Sequence, residues 1–309
     1  MNKVLVTGAS GRIGSHVIPL LLERGIPVRA MVRKTPLPEA WRGQVETIDA
    51  AAPWEEAIGG MDAVVHLAAL MPPASDDDVF RANIEATYRL LNAAAAQKAK
   101  PRVLFASSDA TYCTGWSLQS YTEPIGEGEP QHPTVFYGLS KVLGERMCLY
   151  YEEMHQLPIV RLRFVWTLTA EEILKLFTET PYKEFVVEAD RANWESDGVV
   201  AVPLEEDGRP FQEHLCDVRD AADAVLLALE SSAAPGRAFN IAGPEAFRYT
   251  DISPKLADLL GARAVAARCR GIHSYSLDIS RAQKELGYRP RFSVFDSLND
   301  ALAKAKAKS

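Results

Sequence analysis

The chain opens on a short apolar run, Lys3 to Thr7 (KVLVT), that ends at Gly8. A run of that length without polar alternation is the pattern of a strand buried on both faces of a parallel sheet. After the glycines that follow, Val17, Ile18, Leu21 and Leu22 fall at spacings of three and four, on one face of a helix. Arg24-Gly25 supplies a left-handed stop, and beyond Pro27 a second strand spans Val28–Val32. The alternation continues with strands at Val45–Ile48, Asp62–Ala69 and Arg102–Ala106, and helix from Val79 to Lys98 capped by Ser75 and Asp76–Asp78. Asp217 to Ser231 carries Ala and Leu at helical spacing, and Phe239–Ala242 reads as a last strand. Thr169 to Pro210 shows the weakest periodicity and reads as substrate loops and lids. This alternation predicts an α/β fold built on a doubly wound parallel sheet.

At 309 residues, 47% apolar and 24% charged, the chain can bury a full core and is not a disordered polymer. Acidic residues outnumber basic ones 41 to 34, and the net charge of −7 disfavours a nucleic-acid partner. The cysteines (Cys113, Cys148, Cys216, Cys269) and the histidines show no metal-ligand spacing, so no metal is expected. No apolar run reaches the ~18–20 residues of a membrane span. No secretory leader precedes the first strand, and the expected setting is the cytoplasm, with reduced thiols, no membrane partner and a small-molecule substrate.

Candidate chemistry begins in the turn Gly8-Ala9-Ser10-Gly11-Arg12-Ile13-Gly14, between strand and helix. Glycines there let backbone approach a pyrophosphate and let the helix pack close to the sheet, while the helix start offers free N–H groups. Gly8, Ser10, Gly11, Arg12, Ile13 and Gly14 are therefore candidate cofactor contacts. An acid ending the second strand would read the ribose 2′-hydroxyl of NAD, but this strand ends Val32-Arg33-Lys34. Arg33, with Lys34 and Arg12, can clamp a 2′-phosphate, which favours NADP over NAD; solvated cations at a strand end are the alternative. Asp49 can bond the adenine amino group or be an exposed loop acid. Leu67, Ala68 and Ala69 leave room for a cofactor ribose, and His66 reads as a packed core histidine.

The fifth strand delivers Ser107-Ser108-Asp109-Ala110-Thr111-Tyr112, and a later helix carries Tyr137-Gly138-Leu139-Ser140-Lys141. Tyr137 and Lys141 stand at i and i+4 and share a helical face. A tyrosine serves as acid or base toward a hydroxyl or carbonyl if its pKa falls from ~10 toward neutrality, and a ~3-unit fall corresponds to ~4 kcal/mol. A neighbouring ammonium and a nicotinamide cation would supply that by opposite charge. Ser108 would hydrogen-bond the reacting oxygen.

The chain resembles the extended short-chain dehydrogenases/reductases, the NAD(P)-dependent epimerase/dehydratase family. The matching segments are TGASGRIG (7–14), HLAA (66–69), SSDATY (107–112), YGLSK (137–141), FNIAG (239–243) and LDISRAQKELGYRP (277–290). The resemblance implies Ser108, Tyr137 and Lys141 as catalytic residues and a Rossmann cofactor domain at 1–165 and 211–242. It implies a substrate-binding region at 166–210 and 243–309, a structural or water-holding role for Asn83, and a homodimer through the helices of Asn83 and Tyr137. Three departures stand out. Asp109 is followed by Ala110 rather than the glutamate of family dehydratases. Cys113 replaces a usual glycine. Trp166 stands where sugar-nucleotide members carry a substrate-binding asparagine, which counts against a nucleotide-diphosphate sugar. Met71, Asp109, Cys113, Trp166, Arg209 and Arg268 are candidate substrate contacts, the arginines (with Arg270) as holders of an anionic group. The expected activity is hydride transfer between nicotinamide and a secondary alcohol or carbonyl of a small, sugar-derived substrate. An epimerase with tightly bound cofactor is the alternative, and a noncatalytic NADP sensor a further one.

Overall fold

The computed structural model describes residues 1, 3–33, 35–112, 123–194 and 198–308. Its strands are β1 (Val4–Thr7), β2 (Val28–Val32), β3 (Val45–Asp49), β4 (Ala63–His66), β5 (Arg102–Ser108), β6 (Ile159–Phe164), β7 (Trp166–Leu168), β8 (Val199–Leu204), β9 (Gln212–Glu213), β10 (Leu215–Asp217), β11 (Ala238–Ile241), β12 (Phe247–Arg248) and β13 (Arg263–Arg268). Its helices are α1 (Gly14–Glu23), α2 (Trp54–Ile58), α3 (Asp76–Val79), α4 (Ala86–Ala96), α5 (Phe136–His155), α6 (Ala170–Thr178), α7 (Glu188–Trp194), α8 (Val218–Glu230), α9 (Tyr249–Leu260) and α10 (Val294–Lys308). Among the described residues no helix is long and apolar enough to cross a membrane.

Among the described residues, seven strands form one sheet in the order β11-β6-β5-β4-β1-β2-β3, every pair parallel. Strand alternation sorts its side chains onto two faces. Val4 and Val6 pack with Val17, Ile18 and Leu21 of α1 and with α8, while Leu5 packs with Leu90 and Leu91 of α4 and Cys148 of α5. The chain leaves β1 in one direction to β2 and β3 and returns beyond it to β4, β5 and β6, which opens a crevice at the carboxyl ends of the strands where order reverses.

The stretch expected to be loops and lids instead builds a second core. Ile173, Leu176 and Phe177 line one face of α6 and pack with Trp194, Val200, Phe211, Tyr249, Cys269 and Leu298. The Thr169 side chain and Glu172 close a capping box at the start of α6. Residues 275–288, expected with the substrate region, supply Tyr275, Leu277, Ala282 and Tyr288 to the first core, and Phe211 and Leu215, expected with the cofactor part, lie in the second. The predicted helix from Val79 to Lys98 begins earlier, at Asp76, and is interrupted by a π-helical segment, Phe80–Glu85. Ser75 caps its first turn as expected, its hydroxyl accepting from the Asp78 N–H.

Candidate active site

Gly8 closes β1 at φ +67°, and a Cβ there would stand 2.9 Å from the Ala68 nitrogen. A Cβ on Gly14 would stand 2.3 Å from the Gly8 carbonyl oxygen, so only glycine lets α1 begin this close to the strand. The Thr7 hydroxyl bonds His66 Nδ1 at 2.8 Å and accepts the Ala68 N–H at 3.1 Å, which holds the end of β4 against the turn. Burial drives His66 down to about 3, so it is a neutral core histidine, hydrogen-bonded also to Thr87 at 3.1 Å. The start of α1 opens on a cavity of about 550 Å³. Gly8, Gly11, Arg12, Ile13, Gly14, Leu67 and Ala69 line that end; Ser10 and Ala68 lie in the same segments. A narrow glycine turn at a helix start fits a dinucleotide pyrophosphate.

Further along the same cavity stand Ser108, Tyr137 and Lys141. Two glycines bring them together. A Cβ on Gly138 would meet the Ala110 carbonyl oxygen at 2.4 Å, and one on Gly144 would meet Phe105 Cζ at 2.4 Å, so α5 lies almost on the backbone that follows β5. The Tyr137 phenol hydrogen-bonds Ser108, whose hydroxyl donates to Asp109 at 3.0 Å and accepts the Ala110 N–H at 3.1 Å. Lys141 Nζ lies 5.7 Å from the Tyr137 ring centre and donates to the Ala106 carbonyl at 2.7 Å. Asn83 braces this region from the π-helical segment. It accepts the Leu70 N–H at 2.7 Å and donates to the Ser140 hydroxyl at 3.0 Å.

The electrostatics differ from the sequence expectation at one point. Burial pushes the Tyr137 phenol up to about 12, with the Asp109 charge adding to the rise and the Ser108 bond opposing it, and burial lowers Lys141 to about 8. The protein's own groups therefore favour the neutral phenol, and the lowering expected from Lys141 does not dominate.

Met71, Asp109 and Trp166 line the cavity, while Cys113 and Lys34 fall outside the described residues. Arg12 is held by Glu172 of α6 through Nε and Nη2, in two bonds of 2.7 and 2.6 Å. Arg33 is exposed at the end of β2 with no ion-pair partner among the described residues. Asp49 ends β3, exposed, and accepts the Ala51 N–H. Arg209 and Arg268 do not line the cavity: Arg209 pairs with Glu205 and Asp207 on an exposed turn, and Arg268 with Asp190. Residues that sequence reasoning missed include Phe211, Glu213 and Tyr275, which form the far wall with Tyr182. No local pattern marks Glu213, because its partners Tyr182 and Tyr249 lie 31 and 36 residues away along the chain.

A model of the NAD dependent epimerase/dehydratase family matches residues 4–242, a span that holds the glycine turn, Ser108, Tyr137 and Lys141. The chain belongs to that family. As an enzyme of this family it is 33% identical over 207 residues to the L-arabinose 1-dehydrogenase (NAD(P)(+)) of Haloferax volcanii, covering 64% of this chain and 79% of that one. It is 30% identical over 164 residues to the uronate dehydrogenase of Agrobacterium fabrum, covering 50% of this chain and 58% of the relative. A short-chain dehydrogenase/reductase superfamily protein from Agrobacterium tumefaciens, solved with bound NAD, superposes with a TM-score of 0.86 at 29% identity, over 99% of this chain and 98% of that one. The match spans both cores, and the family cofactor is of the NAD(P) type.

Proposed function

We propose that the protein is an NAD(P)-dependent dehydrogenase or reductase acting on a secondary alcohol or carbonyl carbon of a small sugar-derived substrate. The observation that carries this reading is the convergence of the glycine turn and the Ser108–Tyr137–Lys141 group on one cavity. Nicotinamide, when bound, supplies the carbon that accepts or returns hydride and a positive charge beside the phenol. Tyr137 takes the hydroxyl proton in oxidation and returns it in reduction. Ser108 orients the reacting oxygen, and Lys141, fixed on the Ala106 carbonyl, supports the phenolate and faces the ribose side. With burial holding Tyr137 near 12, ionisation during turnover depends on charge arriving with the cofactor.

The finer cofactor preference in this reading is NADP. Its support is the missing acid at the end of β2 and Arg33 there, which has no ion-pair partner among the described residues; Arg12, paired with Glu172, is left out of the clamp. A homodimer also belongs to the reading, supported by the exposed apolar side chains Leu139, Leu143 and Met154 on α5 and Tyr88 on α4. The test follows reduced-nicotinamide absorbance with NADP and NAD over a panel of aldoses, sugar acids and lactones. Turnover that Tyr137→Phe abolishes supports the oxidoreductase. Isomerised sugar with no net change in cofactor would replace it by an epimerase.

A further inference from the structure

Glu213 is buried at 3% exposure yet lines the wall of the cavity across from the cofactor turn. Its two carboxyl oxygens are held separately, Oε1 accepting from the Tyr182 hydroxyl at 2.8 Å and Oε2 from the Tyr249 hydroxyl at 2.6 Å. Each oxygen keeps a further acceptor site, so the carboxyl is fixed in place without being saturated.

Among the described residues the charged side chains lining the cavity are Arg12, Asp109, Lys141 and Glu213. Both cations are engaged, Arg12 by Glu172 and Lys141 by the Ala106 carbonyl. The arginines read from sequence as holders of an anionic group, Arg209 and Arg268, are paired with acids away from the cavity. The described lining there therefore offers the carboxylates of Glu213 and Asp109 and aromatic surface from Trp166, Tyr182, Phe211 and Tyr275.

We infer that Glu213 is a specificity-determining residue that accepts hydrogen bonds from substrate hydroxyls and restricts the enzyme to uncharged polyhydroxy substrates, excluding sugar acids and phosphorylated sugars. The inference rests on the oxidoreductase reading for its substrate class but not for its sign. A carboxylate on the ligand would face Glu213 and Asp109, while the guanidinium in the described lining, Arg12, is already paired with Glu172, and like charges in a desolvated site repel strongly. Neutral hydroxyls instead gain a charge-assisted bond.

The experiment measures binding, so that it stands apart from turnover. The full-length Tyr137→Phe protein with oxidised cofactor is titrated with matched pairs, galactose against galacturonate and glucose against glucuronate, by calorimetry and saturation-transfer NMR. The neutral member of a pair is expected to bind about a hundredfold more tightly, and Glu213→Gln to narrow the gap below about tenfold. Equal or tighter binding of the sugar acid, no binding of any neutral sugar, or an unchanged gap in a folded Glu213→Gln protein would overturn the inference. A preference for neutral sugars together with no turnover in the wild type would remove the oxidoreductase reading and leave this one standing.

If Glu213→Gln does not fold, pH supplies the second measurement on the same Tyr137→Phe background. Burial and the Asp109 charge push Glu213 up to about 7, while Tyr182 and Tyr249 stay neutral and His214, beside it in the chain, is lowered to about 4. Tyr275 is the other titratable side chain on that wall, and Arg248 of the paired strand β12 is exposed. Sugar-acid affinity should rise severalfold as pH falls from about 7.5 to about 5.5 and Glu213 takes its proton, below the range in which Lys141, lowered to about 8, takes its own, with neutral-sugar affinity changing less. A gap that stays constant across that range contradicts the assignment.

Discussion

Tyr137 carries a phenol that burial holds neutral, bonded to Ser108 and faced by Lys141 at 5.7 Å from its ring centre. Removing the hydroxyl takes away the proton-transfer group and little packing, so Tyr137→Phe should lower kcat/KM by roughly 10²- to 10⁴-fold. Cofactor affinity, set mainly by the glycine turn, should move much less; steady-state kinetics with a fluorescence titration of reduced cofactor separates the two. Gly14→Ala is the opposite case. Its methyl would stand 2.3 Å from the Gly8 carbonyl oxygen, backbone against backbone, so the turn must shift. Cofactor affinity should fall at least about tenfold in that variant, equivalent to ~1.4 kcal/mol, while the catalytic side chains stay intact. At the end of β2, Arg33→Asp should exchange the preference for NADP over NAD by removing the charge for a 2′-phosphate and supplying an acceptor for a 2′-hydroxyl. The ratio of kcat/KM values for the two cofactors reads this directly, and an unchanged ratio contradicts the proposed preference.

At the scale of elements, catalytic geometry depends on how closely α5 lies on β5. Gly144→Val would drive side-chain atoms into the Phe105 ring, already 2.4 Å from a Cβ at that position. The expected cost is about 1–3 kcal/mol of stability with a loss of kcat, measured by denaturant unfolding and kinetics on the same preparation. Much of this element level was legible beforehand. Strands β1 and β2 and the glycine turn follow from apolar runs broken by glycine, and the i, i+4 pairing of Tyr137 and Lys141 follows from helical geometry alone. The close approach through Gly138 and Gly144 was not legible, because the atoms they avoid belong to segments distant in sequence. The π-helical segment at Phe80–Glu85 escaped notice for a related reason: Asn83 turns inward to meet Leu70 and Ser140, partners that no local pattern reveals. The part of the second core within Thr169–Pro210 reads as loops from sequence because its apolar residues cluster only once Trp194, Phe211 and Tyr249 come together. Glu213 lay hidden by the same arrangement, and with it the charge character of the substrate wall.

For the whole molecule, buried ionisable groups set the response to acid. His66 and His214 are lowered to about 3 and about 4, below the 6.5 of an unburied histidine, so the unfolded chain binds more protons in between. Their neutral burial loses stability as pH falls below 6.5, on the order of 2 kcal/mol each near pH 5. Glu213, raised from 4.5 to about 7, acts in the reverse direction and gains stability as pH falls through 7 toward 4.5. Glu145, held below its ordinary value by Arg163, and Asp217, held down by Arg219 and Ser297, contribute stability above their unfolded values that is lost as pH falls through their folded ones. The melting temperature should therefore decline gently between about pH 7 and 5 and steeply below about 4.5, with the gentle part steeper in Glu213→Gln. A melting temperature unchanged down to pH 3 would contradict this balance.

The same architecture places the glycine turn, the Tyr137 phenol and the carboxylates of Asp109 and Glu213 along one cavity. The central claim is that hydride passes between a sugar carbon and the cofactor in that cavity, and the fate of a labelled hydrogen tests it most directly. A neutral aldose carrying deuterium on the carbinol carbon is incubated with the enzyme and oxidised cofactor, and the released reduced cofactor is examined by NMR. The account predicts deuterium at nicotinamide C4 in proportion to oxidised sugar formed, and none when Tyr137 is replaced by Phe. Oxidised sugar accompanied by unlabelled cofactor, or deuterium retained in an isomerised sugar with no cofactor released, would contradict it.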